Sequence, residues 1–384
     1  MTEGTARSVF SIPRDVCYLN AAYMTPQPTA VAAACESGVR KRAAPWQVRD
    51  ADFFDDVELL RRLFATLLGS RPDNIAIVPA ASYGVACAAR NISVKANQKI
   101  LLLAEQFPSN YYAWARLADD NGASLCIVDT PSDLDWTSAV LESITTNQDD
   151  IAVAALPNHH WSNGAPLDLQ VICEALRKIA AVTVLDVSQT LGACPIDLDA
   201  LRPDYLVAAG YKWLFCPYSI SFLYVADEHL DGIPLEENWA NRLGSEDLSR
   251  LVDYVEEYQH GARRFDVGER AQFATVPGAI AAIRQLLDWD VSEISRQLDI
   301  RNTTIANLFE DHGFPAPARD RRGPHFQGIR IPAAVIDAMI AEFAANNIFA
   351  SRRGDSLRIA PHLYNDDEDL EMLDAALRRI VQKR

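Results

Sequence analysis

"VLDVSQTLGACPIDLDALRPDYLVAAGYKWL", residues 184–214, contains two short apolar runs, one ending at Asp186 and the other leading into Tyr211 and Lys212. Runs that are apolar at every position predict strands buried on both faces, as in a parallel sheet. Because burying an ammonium is costly, Lys212 must reach water, pair with an acid, or have a lowered pKa that serves chemistry. Ligands bind beyond the carboxyl ends of such strands, so the stretch predicts an acid and a lysine at one ligand-binding edge.

Further runs of the same kind extend this pattern over residues 74–225, and they begin at Asn74, Lys99, Ser124, Ile151 and Ile220. Amphipathic segments such as 56–70 and 169–180 separate them, with apolar residues spaced by three and four. The alternation predicts an α/β fold with about seven mostly parallel strands, covered by helices on both faces.

The rhythm changes after residue 225. The charged stretch 227–265 is predicted to be rich in helix, and "VPGAIAAIRQLLDW" at 276–289 predicts a long helix. Asn365 and the acids after it suit the start of a last helix, so the tail reads as a small α+β unit. We expect a large domain over residues 18–265, and a small domain formed by residues 1–17 and 266–384.

Composition limits the classes of partner that the protein is expected to bind. The chain has 384 residues, 49% of them apolar and 23% charged, and a formal net charge of -16. That charge repels nucleic acid and anionic membranes, so a small molecule or another protein is the expected partner. The sequence has no apolar run long enough to span a bilayer, and its start lacks the core of a signal peptide, so we expect a cytoplasmic protein.

The cysteines and histidines predict neither a disulfide framework nor a metal site. His159 and His160 are adjacent rather than at ligand spacing, and the cysteines form no CxxC pair. The seven cysteines are Cys17, Cys35, Cys87, Cys126, Cys173, Cys194 and Cys216.

The strand ends together predict one crevice. It collects Asp186, Lys212, the amide-rich loop 158–164, the loop 105–110 and the small-residue turn 79–84, whose free N–H groups can hold an anion. Pyridoxal phosphate needs such a set: a lysine for a Schiff base, a carboxylate for its ring nitrogen and a helix start for its phosphate. A dinucleotide site fits less well, because no GxGxxG follows any of these strands.

The chain resembles the class V aminotransferase family of fold-type I pyridoxal phosphate enzymes, which includes kynureninase, isopenicillin N epimerase and cysteine desulfurases. The resemblance is carried by Asp186-x-x-Gln189 and Tyr211-Lys212, with 26 positions between Asp186 and Lys212. The segments "YLNAAYMTPQP" at 18–28 and "LRIAPHLYNDDEDL" at 357–370 also resemble family segments. The resemblance implies a large and a small domain and a homodimer with shared active sites.

The same resemblance implies roles for the residues around the cofactor. Lys212 holds it covalently and later moves the substrate α-proton. Asp186 pairs with the pyridinium nitrogen, Gln189 bonds the phenolic oxygen, and Phe107 stacks on the ring. Asp186 could instead be a capping or ion-paired acid, and Phe107 could be a core residue. The implied phosphate contacts are Ala81, Ser82, Tyr83 and Tyr211.

On the substrate side, the resemblance implies that Arg358 clamps the α-carboxylate, a task that a planar guanidinium suits. Arg352 and Arg353 are its rivals in the sequence, and we interpret them as surface charges. Asn158 and His160 are expected to contact the ring or the substrate. Trp161 is expected to serve packing. Candidates for the side-chain pocket are Tyr23, His160, Tyr218 and Arg264.

Two departures from the family pattern limit the function. Desulfurases carry a mobile cysteine ahead of the carboxylate-binding arginine, whereas this chain has "FASRRGDSLR" at 349–358 and no cysteine after Cys216. A desulfurase is therefore disfavoured. Glu269 follows Gly268 where the family has a Gly-Thr that reaches the phosphate across the dimer. An acid is repelled there, so we expect Glu269 to turn away and Gln272 or backbone to replace it.

The sequence thus predicts a pyridoxal phosphate enzyme acting on an α-amino acid, either a lyase that cleaves a C–S or C–C bond or an aminotransferase. An epimerase or cyclase-type biosynthetic enzyme is the alternative reaction, and a non-catalytic subunit with the same fold is the alternative class. The stretch "CPYSIS" at 216–221 is where specificity is expected to differ from relatives.

Overall fold

The centre of the molecule is a seven-stranded sheet, seen in a computed structural model that describes residues 6–383. The strands of the chain are β1 (Cys17–Tyr18), β2 (Ile75–Val78), β3 (Lys99–Leu103), β4 (Ser124–Val128), β5 (Ile151–Pro157), β6 (Val182–Asp186), β7 (Tyr205–Ala209), β8 (Ser221–Val225), β9 (Gln327–Arg330), β10 (Ile348–Phe349), β11 (Ser351–Arg353) and β12 (Ser356–Ile359). The large sheet has the order β2-β8-β7-β6-β5-β3-β4, and only β8 runs antiparallel to its neighbours. The predicted α/β fold is confirmed.

Helices cover both faces of this sheet. The α-helices of the described residues are α1 (Thr29–Arg42), α2 (Asp55–Leu68), α3 (Ala81–Asn91), α4 (Tyr112–Asn121), α5 (Trp136–Thr146), α6 (Leu169–Lys178), α7 (Leu198–Leu201), α8 (Val276–Trp289), α9 (Val291–Asp311), α10 (Ala333–Ala345) and α11 (Asp367–Gln382). Alternate residues of a strand serve opposite faces, so Leu101 and Leu103 join one buried cluster while Ile100 and Leu102 join another. Strands of this kind have no polar face, which is why their sequence reads as continuous apolar runs.

The helix-rich prediction for residues 227–265 is wrong. The structure has only short 3-10 turns there, at Asp227–His229, Trp239–Asn241, Leu248–Arg250 and Gly261–Phe265. Pro234 and several glycines interrupt the stretch, and side chains such as Asp247 cap turns of a few residues. In its middle part several apolar side chains lie outside the core, since Val252 is 81% exposed and Tyr254 97% exposed. A helix without a buried apolar face has little to stabilise it.

A third buried cluster joins the C-terminal elements to the beginning of the chain. It contains residues of α9, α10, α11, β9 and β12 together with Cys17 and Leu19. Helix α8, by contrast, packs against α1 and α2 beside the large sheet. The division at residue 265 stays a prediction, and residues 1–5 and 384 of the predicted small domain lie outside the described residues. Asp366, not Asn365, caps α11.

Residues 17–25, which we call the N-terminal strap, connect this third cluster to the large sheet. β1 pairs in parallel with β10, and the amide of Ala21 donates to the carbonyl of Ala360 at 2.9 Å. Further along, the carbonyl of Ala22 accepts from Gln189 at 2.9 Å, and the Thr25 hydroxyl donates to the carbonyl of Lys212. The strap therefore touches both the tail of the chain and the stretch that carries the predicted site.

A buried ion cluster fixes α2 against the sheet. Arg61 of α2 and Asp266 are both fully buried, and Arg61 Nη2 lies 2.6 Å from Asp266 Oδ2. Asp266 Oδ1 also accepts from the amide of Ile77 in β2 at 2.7 Å, and Arg270 Nε lies 3.3 Å from the same carboxylate. Burial disfavours the Arg61 charge, but Asp266 and Glu58 outweigh it and raise the Arg61 pKa. One carboxylate thus contacts two buried cations and holds a strand.

The seven cysteines are free thiols, and five of them are buried. In the part of the chain that the structure describes, no group of three or more His, Cys, Asp or Glu side chains could hold a metal ion. Over residues 6–383, none of the helices is at once long and apolar enough to cross a membrane.

Candidate active site

A cavity of about 360 Å³ lies at the carboxyl ends of three neighbouring strands, where β5, β6 and β7 reach Pro157, Asp186 and Ala209. The start of α3 and the loop after β3 also line it. Seven residues predicted for the site line this cavity, namely Lys212, Asp186, Gln189, Phe107, Ala81, Ser82 and Tyr211. Tyr83, Arg358, Asn158 and His160 do not line it. The parallel strands bring the first group together because their carboxyl ends share one edge.

Lys212 is 7% exposed and follows β7 by three residues. Its Nζ lies 5.3 Å from the ring centroid of Phe107 and 5.8 Å from that of Tyr211. Burial lowers the pKa of Lys212 to about 8, the charge of Asp186 opposes this shift, and the charges of Arg358 and Arg353 add to it. The amine is therefore a nucleophile and a base near neutral pH.

Asp186 ends β6 and lies opposite Val207 of β7, so its carboxylate is beside the strand that leads to Lys212. Its Oδ1 accepts from the amide of Ser188 at 3.0 Å, which fixes the carboxylate at the turn. Asp186 also lines the cavity, where its carboxylate can pair with a cationic ring nitrogen.

Trp213 sets the direction of the Gln189 side chain. The indole Nε1 donates to Gln189 Oε1 at 3.0 Å, and Gln189 Nε2 donates to the Ala22 carbonyl at 2.9 Å. Because an indole N–H can only donate, the carboxamide oxygen must face Trp213 and the NH2 group must face the other way. One N–H of Gln189 therefore remains for an acceptor in the cavity.

We expect Trp213→Phe to lower the free energy of unfolding by about 2 kcal/mol, because it leaves the buried Gln189 oxygen without a donor and removes ring volume. Urea unfolding of both proteins measures the difference. Trp46→Phe is the control, since Trp46 is 80% exposed, and its effect is expected within about 0.5 kcal/mol. Equal stabilities for Trp213→Phe and wild type would contradict the assigned bond.

The start of α3 offers amides to the cavity. The amides of Tyr83 and Gly84 both donate to the carbonyl of Ala80, which closes the first turn. The amides of Ala81 and Ser82 have no acceptor among the described residues, and α3 has no side-chain cap. Such an uncapped start, with the positive end of the helix dipole, suits a phosphate. Tyr83 was predicted to contact the phosphate, but its amide donates to the Ala80 carbonyl within the turn.

Arg358 lies on β12, beside the cavity rather than in its lining. It is almost fully buried, its Nη1 donates to the Trp161 carbonyl at 2.8 Å, and its Nε has no partner among the described residues. Burial lowers the pKa of Arg358 to about 9, and the charge of Arg353 adds to this shift. A buried guanidinium with unused donors is costly unless an anion binds it.

His159, rather than His160, faces the cavity. His159 lines it, and its Nδ1 lies 3.0 Å from the hydroxyl of Thr190. The ring of His160 points the other way, because neighbouring residues of an extended chain project to opposite sides. It stacks on Trp136 with 5.0 Å between centroids, and Nε2 lies 3.1 Å from the Ala104 carbonyl. The Asn158 side chain donates from Nδ2 to the carbonyl of Leu167 at 3.1 Å.

Trp161, expected to serve packing, contacts the site at several points. It lines the cavity, and its ring meets the edge of Phe107 with 5.4 Å between centroids. Its indole donates to the Glu105 carbonyl at 2.7 Å, and its own carbonyl accepts from Arg358. The signal available in the sequence was its position on the loop after β5, next to the predicted crevice.

Of the remaining candidates for the side-chain pocket, Tyr218 lies at the cavity and Arg264 does not. Tyr218 lines the cavity, with its ring 4.8 Å from that of Tyr211. Arg264 points away, since it donates to the Gly232 carbonyl at 3.3 Å. The amide of Gly268 donates to Glu236 at 2.7 Å, and Gly268 and Glu269 line a different surface cavity. Their contribution across a dimer stays a prediction.

The donors present fit pyridoxal phosphate. The cavity combines a partly neutral buried amine, an acid on the neighbouring strand, unpartnered amides at a helix start and an aromatic ring beside the amine. Gln106 Nε2, in the same lining, is buried without a partner among the described residues. A buried donor of this kind is expected to meet a ligand acceptor. Fold and site together define a pyridoxal phosphate-dependent enzyme of the α/β type.

The family model "Aminotransferase class-V" matches residues 17–304, and the chain belongs to this family. An uncharacterized aminotransferase of Bacillus subtilis, YcbU, is 26% identical over 86% of this chain and 85% of its own. Isopenicillin N epimerase of Amycolatopsis lactamdurans is 25% identical over 98% of both chains. The apo cysteine desulfurase of Thermococcus onnurineus shares the fold, with a TM-score of 0.84 at 18% identity and 98% coverage of both chains.

Proposed function

We propose that this enzyme acts at the α-carbon of an α-amino acid, with Lys212 as the residue that carries the cofactor and moves the α-proton. The supporting observation is the buried Lys212 amine, which has a pKa of about 8 and lies at the same strand edge as Asp186. When bound, pyridoxal phosphate supplies an electron sink for the electron pair that is left at the α-carbon. A non-catalytic role is disfavoured because the lysine, the acid and Arg358 are all present.

Around the cofactor, each residue has a separate task in this proposal. Asp186 pairs with the ring nitrogen, Gln189 donates to the phenolic oxygen, and Phe107 covers one face of the ring. The phosphate is held by the amides of Ala81 and Ser82, the Ser82 hydroxyl and the Tyr211 hydroxyl. The Tyr83 amide closes the first turn of α3 beside these two amides.

Arg358 holds the substrate α-carboxylate in this proposal. Its buried Nε has no partner in the described chain, and a carboxylate can accept from two guanidinium nitrogens at once. The free-energy cost of burying the Arg358 charge is then offset only when substrate is bound. Trp161 fixes the other side of the guanidinium through the 2.8 Å bond to its carbonyl.

For the reaction, we propose a lyase that cleaves a C–S or C–C bond, or an aminotransferase. Epimerisation is the second candidate, since isopenicillin N epimerase matches over 98% of both chains. Persulfide formation is disfavoured, because burial raises the pKa of Cys216, the cysteine closest to Lys212 in sequence. A homodimer with shared active sites, working in the cytoplasm, also belongs to the proposal.

Three product assays decide between these reactions. The purified protein is loaded with pyridoxal phosphate and incubated with single amino acids while visible absorbance is followed. Ammonia and a keto acid without an added acceptor support the lyase, and a requirement for a 2-oxo acid supports the aminotransferase. Loss of optical activity without formation of ammonia or a keto acid supports the epimerase. Failure to bind pyridoxal phosphate at all would contradict the proposal.

Uptake of pyridoxal phosphate is expected to accelerate with pH and to reach half of its maximal rate at about pH 8, because only the neutral amine attacks an aldehyde. The sign follows from the lowered pKa of Lys212, which is about 8, since such an amine is neutral above that pH. An ordinary lysine titrates at about 10.4 and gives a midpoint higher by about two units. Stopped-flow absorbance between about pH 6 and pH 10 measures the midpoint. A midpoint above about pH 10 contradicts the environment described for Lys212.

A further inference from the structure

Arg353 is a second arginine beside the active-site cavity. Its guanidinium carbon lies 5.8 Å from the ring centroid of Trp161, whose ring lines the cavity of Lys212. Arg353 itself lines a second cavity of about 510 Å³, together with Glu105 and Ser162. Trp161 thus lines the first cavity and contacts Arg353 and the Glu105 carbonyl of the second.

The strand register places Arg353 and Arg358 on the same face. β11 and β12 are antiparallel, with Ser351 opposite Arg358 and Arg353 opposite Ser356. Residues directly opposite each other, and residues two apart, share a face of a sheet. The two guanidinium groups therefore point to the same side of the hairpin, and both charges lower the pKa of Lys212.

Arg353 differs from its neighbours in having no acidic partner. Its only hydrogen bond among the described residues goes from Nη1 to the carbonyl of Arg352. Arg352, on the other face, pairs with Asp337 at 2.7 Å. The other arginines of the second cavity are also paired, Arg321 with Asp135 at 3.1 Å and Arg330 with Asp355 at 3.8 Å.

We propose that Arg353 binds a second anionic group of the substrate, so that the preferred amino acids carry an acidic side chain. This inference rests on the proposed function, in which Arg358 takes the α-carboxylate. The two guanidinium groups leave two separate sets of unused donors on one face of the β11–β12 hairpin, which suits a ligand with an acid at each end. Glu105, which also lines the second cavity, is exposed and forms no ion pair in the described chain.

The test measures binding rather than turnover. The protein, as purified and after loading with pyridoxal phosphate, is titrated calorimetrically with succinate, glutarate and adipate and with monocarboxylates of matching length. We expect the best diacid to bind about tenfold more tightly than its matched monoacid. In Arg353→Gln the two are expected to bind within about twofold of each other, with monoacid binding unchanged.

Arg352→Gln is the matched control, because Arg352 is adjacent but paired with Asp337, and it is expected to keep the diacid preference. Arg358→Gln is expected to weaken monoacid and diacid alike. The inference is overturned if wild type shows no diacid preference, or if Arg353→Gln retains it. It is also overturned if 5-aminopentanoate outcompetes glutarate, since that result assigns the second cavity to a cation through Glu105.

Failure of the proposed function gives a different pattern. If the protein takes up no pyridoxal phosphate, the function is wrong, but the diacid preference of the purified protein is still measured. If uptake is normal and Arg353→Gln changes nothing, the function stands and the substrate class is wrong.

Discussion

Lys212→Ala is expected to abolish covalent capture of pyridoxal phosphate and to lower turnover by about 10³-fold or more, because it removes nucleophile and base together. Alanine cannot form the bond or accept the α-proton, and the cavity offers no second amine, since Lys212 is the one lysine in its lining. The Lys212 side chain is buried, and its amine makes no hydrogen bond within the described chain, so the substitution breaks none. We therefore expect the variant to fold and to keep its phosphate contacts.

Two measurements check this expectation. Borohydride treatment followed by mass spectrometry detects cofactor fixed to the chain, and visible absorbance detects it before reduction. Lys95→Ala serves as the control, because Lys95 is exposed and distant in sequence from every strand end of the site. A Lys212→Ala protein that still carries borohydride-resistant cofactor would show that another amine does the work.

Asp266→Ala is expected to cost about 3–5 kcal/mol of unfolding free energy, because it leaves two buried arginines without their anion. Arg61 loses two hydrogen bonds, and the amide of Ile77 loses its acceptor. Glu58 partly compensates Arg61, since Arg61 Nε lies 3.0 Å from Glu58 Oε1, but it does not reach Arg270 in the described structure. Urea unfolding monitored by circular dichroism measures the loss.

Asp73→Ala provides the comparison for Asp266. Asp73 also pairs with an arginine, Arg263 at 2.7 Å, which itself lies 2.8 Å from Glu58, but the Asp73 side chain is largely exposed. Water screens such a pair, so the expected cost is below about 1 kcal/mol. If the two substitutions cost the same, burial of the Asp266 pair is not what makes it stabilising.

The sequence predicted the large sheet well because local pattern and burial agree there. β7 is apolar throughout, β6 is apolar apart from Thr183 and its last residue Asp186, and the charged residues Asp186 and Lys212 mark the ligand-binding edge, so strand ends and site residues are read from one signal. The same reasoning failed at 227–265. There the charges suggested an exposed helix, but turns capped by single side chains satisfy the backbone instead.

Side-chain directions and long-range contacts could not be predicted from the sequence. The choice between His159 and His160 depends on how the chain turns after β5, which no periodicity records. The bond from Trp213 to Gln189 and the contact of Arg353 with Trp161 join segments that only the folded sheet brings together. Tryptophan is common in packing, so its presence in the sequence gave no reason to place Trp161 or Trp213 at the site.

The N-terminal strap has a consequence for how the protein is made. Ser351 donates to Asn20 across 331 residues of chain, and the strap then reaches Gln189 and Lys212. Contacts of such sequence separation form late, because the loop they close must lose its entropy first. During synthesis Asn20 of the strap is made 331 residues before Ser351, so it cannot form this contact until that stretch of chain exists. The connection between the Lys212 stretch and the segment after β12 is therefore complete only after β12 has been made.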